Sequence, residues 1–182
     1  IDFKVEVYEG NNIEITKIDN FSKLILDASF FNKAMRGWLQ HQSMPVLPLE
    51  IWVPEDDGIE ANLTDPRIPV LYGSPGVVRY DNHLHLNLDV FGSIFFMLSR
   101  YEELVIKERD QHDRFSAFSS YAYKNNFLMR PLVDEYVEIL KKCLKMLWPD
   151  LKFKKREFSI DVSHDVDQLS RYQTRINLYQ YL

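Results

Sequence analysis

Apolar and polar residues alternate along Phe3-Lys-Val-Glu-Val-Tyr8, and nearly so along Ile13-Glu-Ile-Thr-Lys-Ile18. A period of two sends neighbouring side chains to opposite faces of an extended chain, so both segments predict strands. Gly10-Asn11-Asn12 between them supplies the turn of a β-hairpin. Lys23 to Leu26 predicts a short strand that leads through Asp27 into a short helix around Phe30 to Leu39. Pro45 and Pro48 restrict Leu47 to Val53 to an edge strand at best, because proline cannot donate to a sheet ladder. Residues 54–67 read as a polar surface loop. Three short strands are expected after it, at Ile68–Tyr72, Val77–Tyr80 and His83–Leu88, with turns at Gly73-Ser-Pro-Gly76 and Asp81-Asn82.

Two helices carry the strongest periodic signal. Asp89 is placed to cap the first, and Val90, Phe91, Ile94, Phe95, Leu98, Tyr101, Leu104 and Val105 recur at helical spacing. The second opens at Arg130-Pro131, carries Asp134 and Glu135 early and Lys141, Lys142 and Lys145 late, and stops at Trp148-Pro149. That charge order complements the helix dipole. Beyond it Phe158, Ile160 and Val162 alternate with Ser159, Asp161 and Ser163 and predict a strand, and Gln168 to Leu182 reads as a helix.

Composition narrows the class. Of 182 residues, 46% are hydrophobic, so a packed core is expected and not a disordered chain. Net charge is −5 with both signs interspersed, and no basic tract is long enough to track a phosphate backbone. Nucleic acid is therefore not expected as a partner. No apolar run reaches the roughly 18–20 residues of a membrane span. The single cysteine, Cys143, falls among apolar helix positions and is expected as a small buried hydrophobe. The chain starts at Ile1 and finishes on the apolar pattern Ile176-Asn-Leu-Tyr-Gln-Tyr-Leu182, so both ends are read as cut.

The sharpest chemical feature is Ser163-His164-Asp165-Val166-Asp167, where a strand is expected to give way to a helix. Alternate residues of an extended chain share a face about 6–7 Å apart. Asp165 and Asp167 then point into one cleft at a strand's carboxyl end, where α/β folds bind ligands. Two carboxylates in that arrangement can divide the work between a divalent metal and a water-derived proton. The plainer alternative is that Asp167 caps a helix and Asp165 occupies a turn.

Ile160-Asp-Val-Ser-His-Asp-Val-Asp167 resembles the first motif of the polysaccharide deacetylase (NodB-homology) family, in its His-Asp-x-Asp form. Upstream, Ile68-Pro-Val-Leu-Tyr-Gly73, Phe91 to Glu103, Ala122 to Phe127 and Arg130-Pro131 resemble an uncharacterised bacterial domain that precedes such deacetylases. The resemblance covers roughly residues 65–167. The pattern of elements predicts an α/β chain whose accessory domain, over 1–154, has a mixed, largely antiparallel sheet and two long helices; the resemblance implies that 155–182 is the first strand–helix unit of a distorted (β/α) barrel. It further implies hydrolysis of N- or O-acetyl groups on polysaccharide or oligosaccharide with a divalent metal, zinc. Asp165 would match the catalytic base, Asp167 a metal ligand and His164 a neighbour of substrate or metal. Val166 separates two aspartates that the commoner family motif holds adjacent. The histidine ligands and acid histidine are implied beyond Leu182, so this chain alone is expected to be inactive. A cytoplasmic or envelope-associated bacterial setting suits the lone cysteine.

Other features admit two readings each. His83-Leu-His85 puts two imidazoles on one strand face and so could bind zinc, or it is the solvated side of a hairpin. Asp110-Gln-His-Asp-Arg114 could supply ligands or sugar contacts, or is a solvated connection. Asn62-Leu-Thr64 matches a glycosylation sequon. Phe30, Phe31, Trp38, Trp52, Phe95 and Phe96 could include a sugar-stacking platform, or pack the core. If catalysis is absent, the first 150 residues would serve as a glycan- or partner-binding module or as a scaffold.

Overall fold

The computed structural model describes residues 3–8, 12–19, 21–155 and 157–165. Seven strands and five helices are formed among them. They are β1 (Phe3–Tyr8), β2 (Asn12–Lys17), β3 (Lys23–Asp27), α1 (Ser29–Gly37), β4 (Glu50–Trp52), β5 (Ile68–Val70), β6 (Gly73–Arg79) and β7 (His83–Leu88), then α2 (Val90–Leu98), α3 (Tyr101–Val105), α4 (Tyr121–Lys124) and α5 (Leu132–Leu147). Five strands make one sheet in the order β1-β2-β3-β7-β6, and β4 pairs with β5 in a small second sheet. All pairs are antiparallel except β3–β7. The fold is α/β with the mixed, largely antiparallel sheet that the pattern predicts.

Period two fixes which face of the sheet is dry. Leu24, Leu26, Leu84, Leu86 and Leu88 are fully or almost fully buried, whereas Lys23, Ile25, His83 and His85 on the opposite face are only half-buried. α5 covers the dry face with Leu132, Tyr136, Ile139 and Cys143, which share one helical stripe. Trp148 ends this helix and ties it to the sheet. Its ring lies 4.8 Å from that of Phe3, and its indole N–H donates to Ser22 Oγ at 2.6 Å. Cys143 is wholly buried, as expected.

Several expectations need correction. The apolar pattern across residues 90–105 belongs to two helices, because Arg100 takes a left-handed conformation with φ of 54°. That conformation costs about 1–2 kcal/mol for a non-glycine residue. The break turns Tyr101 into the core, where its ring meets Phe30 and Trp38, each at 5.2 Å. Its hydroxyl accepts the Leu39 N–H at 2.6 Å and lies 2.8 Å from Ser43 Oγ. These contacts offset the strain. Gly73-Ser-Pro-Gly76, expected as a turn, lies within β6, and a register shift between Gly73 and Val77 absorbs the irregularity.

Residues 54–67 are also more than a polar loop. Pro54–Asp57 form a 3-10 turn, and Ile59 is buried. The strand expected at Phe158–Val162 is not formed: residues 157–165 have no regular structure, and Phe158, Ile160 and Val162 are exposed. Alternation alone cannot hold a strand, because its N–H and C=O groups need a neighbouring strand to pair with. The helix expected over Gln168–Leu182 lies outside the described residues. Compact unit 1 comprises Ile1–Leu151, and Lys152–Leu182 form a second unit. No helix among the described residues is long and apolar enough to cross a membrane.

Candidate functional site

The placement of α1 beside α2 begins with one carboxylate. Asp89 precedes α2, and its Oδ1 accepts the Gly92 N–H at 2.8 Å as an N-cap. Its Oδ2 accepts the Phe30 N–H of α1, also at 2.8 Å. One side chain thus satisfies orphan donors at two helix N-termini, and it is fully buried in doing so. Burial pushes its carboxyl up to about 6, against the pull of the two backbone N–H groups. Gly92 permits this approach, since a Cβ there would overlap Phe30 Cβ and Asp89 Oδ2.

The paired helices sort their aromatic residues by face. Phe30 and Phe96 are buried, as is Trp52 of β4. Phe31, Trp38 and Phe95 remain 37–52% exposed and meet one another at the surface. Phe95 is the hub, 5.8 Å from Phe31 and 6.1 Å from Trp38 between ring centroids. Exposed Met35 on α1 and exposed Leu98 on α2 extend the same apolar surface at helical spacing. On the other side of α1, Asp27, Lys33, Leu47, Glu50 and Ser74 line an open cleft of about 540 Å³. The Lys33 ammonium sits 5.7 Å from the centre of the Tyr72 ring there. Rings offered to water in this way can stack against the C–H face of a sugar or an apolar partner. Binding is the chemistry such a surface supports.

The residues singled out by sequence fall elsewhere. Asp165 and His164 are exposed, in the stretch without regular structure, and Asp167 lies outside the described residues. No group of three or more His, Cys, Asp or Glu side chains suited to a metal occurs among the described residues. The described side chains alone do not make up the expected zinc centre.

His83 and His85 lie on the half-buried face of β7, which forms a hairpin with β6. The His83 ring stacks on Tyr80 at 4.2 Å, and its Nδ1 lies 3.1 Å from Asn82 Oδ1. Asp110 closes its own loop by accepting the N–H groups of His112 at 2.8 Å and Arg114 at 2.9 Å. That loop is a solvent-exposed turn. Sequence reasoning found the helix-capping role of Asp89 and the aromatic candidates. It missed the bond from Phe30 to Asp89, for which a period of 3.6 carries no signal.

Residues 4–149 match the family described as "Family of unknown function (DUF7033)". The chain belongs to that family. No curated protein and no solved structure matches the chain. The DUF7033 region takes in the whole sheet apart from Phe3, the Asp89 junction and the aromatic surface. It excludes the segment that holds His164, Asp165 and Asp167.

Proposed function

We propose that the chain is the accessory domain and first catalytic motif of a metal-dependent carbohydrate deacetylase that removes N- or O-acetyl groups from polysaccharide. The observation that carries this reading is Ile160-Asp-Val-Ser-His-Asp-Val-Asp167, which lies C-terminal to the DUF7033 region, with residues 150–159 between them. In this reading Asp165 is the proton acceptor and Asp167 a ligand to a divalent metal, zinc, with His164 beside them. The direct test is acetate release from acetylated oligosaccharide by the whole natural polypeptide. Release should need the metal and be abolished by Asp165→Asn. Full activity in that variant would remove Asp165 from the chemistry, and no release by the folded, zinc-loaded protein would end the reading.

The aromatic surface favours a binding role for the DUF7033 region whether or not catalysis accompanies it. Phe31, Trp38 and Phe95 then hold the sugar chain by stacking, each ring contributing on the order of 1 kcal/mol. Titrating the 182-residue chain with acetylated oligosaccharide should quench tryptophan fluorescence saturably, and Trp38→Ala should remove the response. A flat titration at millimolar sugar would leave the region as a scaffold.

A further inference from the structure

We infer that the cleft beside α1 binds a zwitterionic small molecule of the α-amino-acid class, one with an apolar side chain. This inference is independent of the deacetylase reading and of sugar stacking on Phe31, Trp38 and Phe95. The cleft measures about 540 Å³, and its lining combines Asp27, Lys33 and Glu50 with Val46, Leu47 and Leu71. Small-molecule sites are commonly about 300–1,000 Å³ and largely apolar, with a few placed polar groups.

Both signs of charge line this cleft, and they do not neutralise each other. Lys33 is half-buried, yet it makes no ion pair among the described residues. Its ammonium lies 5.7 Å from the centre of the Tyr72 ring, and a ring face holds a cation without cancelling its charge. That ring is fixed, because Tyr72 is buried and its hydroxyl donates to the Ser43 carbonyl at 2.8 Å. Asp27 and Glu50 make no ion pair among the described residues either. Asp27 precedes α1, and Lys33 lies one helical turn beyond Ser29 on the same face. The Ser29 N–H donates to Asp27 Oδ1 at 2.7 Å, and Ser29 Oγ accepts the Gly73 N–H at 2.9 Å. Those bonds hold one carboxylate about a turn of helix from the ammonium. Glu50 supplies a second from β4, where it sits opposite Val70.

A ligand that carries a carboxylate and an ammonium matches this arrangement. Its carboxylate meets Lys33 and its ammonium meets Asp27 and Glu50, each through charge-assisted hydrogen bonds. A plain anion would face two carboxylates with one cation to hold it, and a plain cation would leave Lys33 unpaired and repelling it. Both are therefore selected against. Val46 and Leu47 are 70% and 49% exposed. Covering them favours an apolar side chain on the ligand over a polar one.

The test is isothermal titration calorimetry of the 182-residue chain with leucine, leucine amide and isocaproate. These share one side chain and carry both charges, the ammonium alone and the carboxylate alone. Leucine should saturate in the millimolar range, with each analogue at least about tenfold weaker. Lys33→Met should erase the preference for leucine over its amide, and Glu50→Gln should narrow the preference over isocaproate. Neither residue belongs to the buried core, so an unchanged Tm should accompany both variants. If either variant fails to fold, the three ligands on wild type decide alone. No saturation by leucine, methionine or phenylalanine at tens of millimolar overturns the inference. So does equal affinity for leucine and its amide, or leucine binding unchanged by Lys33→Met in a folded protein.

Discussion

The Asp89 carboxylate accepts the Phe30 backbone N–H at 2.8 Å across 59 residues of sequence, while it caps its own helix through Gly92. This junction holds α1 against α2, and the exposed aromatic surface exists because of it. Its carboxyl is raised from 3.8 to about 6 by burial. A folded-state pKa above the unfolded value means the folded protein binds the extra proton. The Asp89 contribution is therefore greatest below about pH 4 and declines as pH rises through 6. Relative to Asp89→Asn, whose side chain does not titrate, wild type should lose up to about 3 kcal/mol of stability between pH 4 and pH 7. Urea unfolding of both proteins across that range measures the difference. Parallel pH profiles would refute the assignment.

Gly92→Ala should be among the costliest small substitutions in the chain, because the added Cβ overlaps Phe30 Cβ and the Asp89 carboxylate. Overpacking of this kind costs about 2–3 kcal/mol. The expected drop in Tm is roughly 5–10 °C. A Tm within a degree or two of wild type would show that the two helices separate freely.

Arg130 and Glu135 strap residues 64–67 to α5. Arg130 Nε donates to Glu135 at 2.8 Å, and its other nitrogens donate to the carbonyls of Arg67 at 2.9 Å and Asp65 at 3.0 Å. Glu135 also accepts the Thr64 N–H at 2.9 Å. Both side chains are largely buried. Arg130→Ala leaves the Glu135 charge without its partner and should cost about 3–5 kcal/mol. The double variant with Glu135→Gln should recover part of that loss. Chemical denaturation gives the size, and faster proteolysis within residues 60–67 would locate it.

Cys143 lies wholly inside the apolar stripe of α5, and burial pushes its thiol up to about 12. Only a thiolate attacks a disulfide reagent at a useful rate. At pH 8 the native chain should resist an aromatic disulfide reagent for as long as it stays folded, then react at once in denaturant. Rapid labelling of the native protein would place this face of α5 in solvent.

The sequence by itself determined the elements whose patterns are local. Period two marked β1, β2, β3 and β7, period 3.6 with ordered charges marked α5, and Asp89 was recognisable as a cap because it stands directly before the periodic run that opens at Val90. Tertiary structure alone decided which of Phe30, Phe31, Phe95 and Phe96 is dry, since that depends on how closely α1 approaches α2. It alone broke residues 90–105 at Arg100, where burial of Tyr101 outweighs backbone strain. It left Phe158–Val162 without a ladder despite clear alternation. Periodicity records which side of an element avoids water; the neighbour that covers that side comes from a distant part of the chain and is written only in the packing.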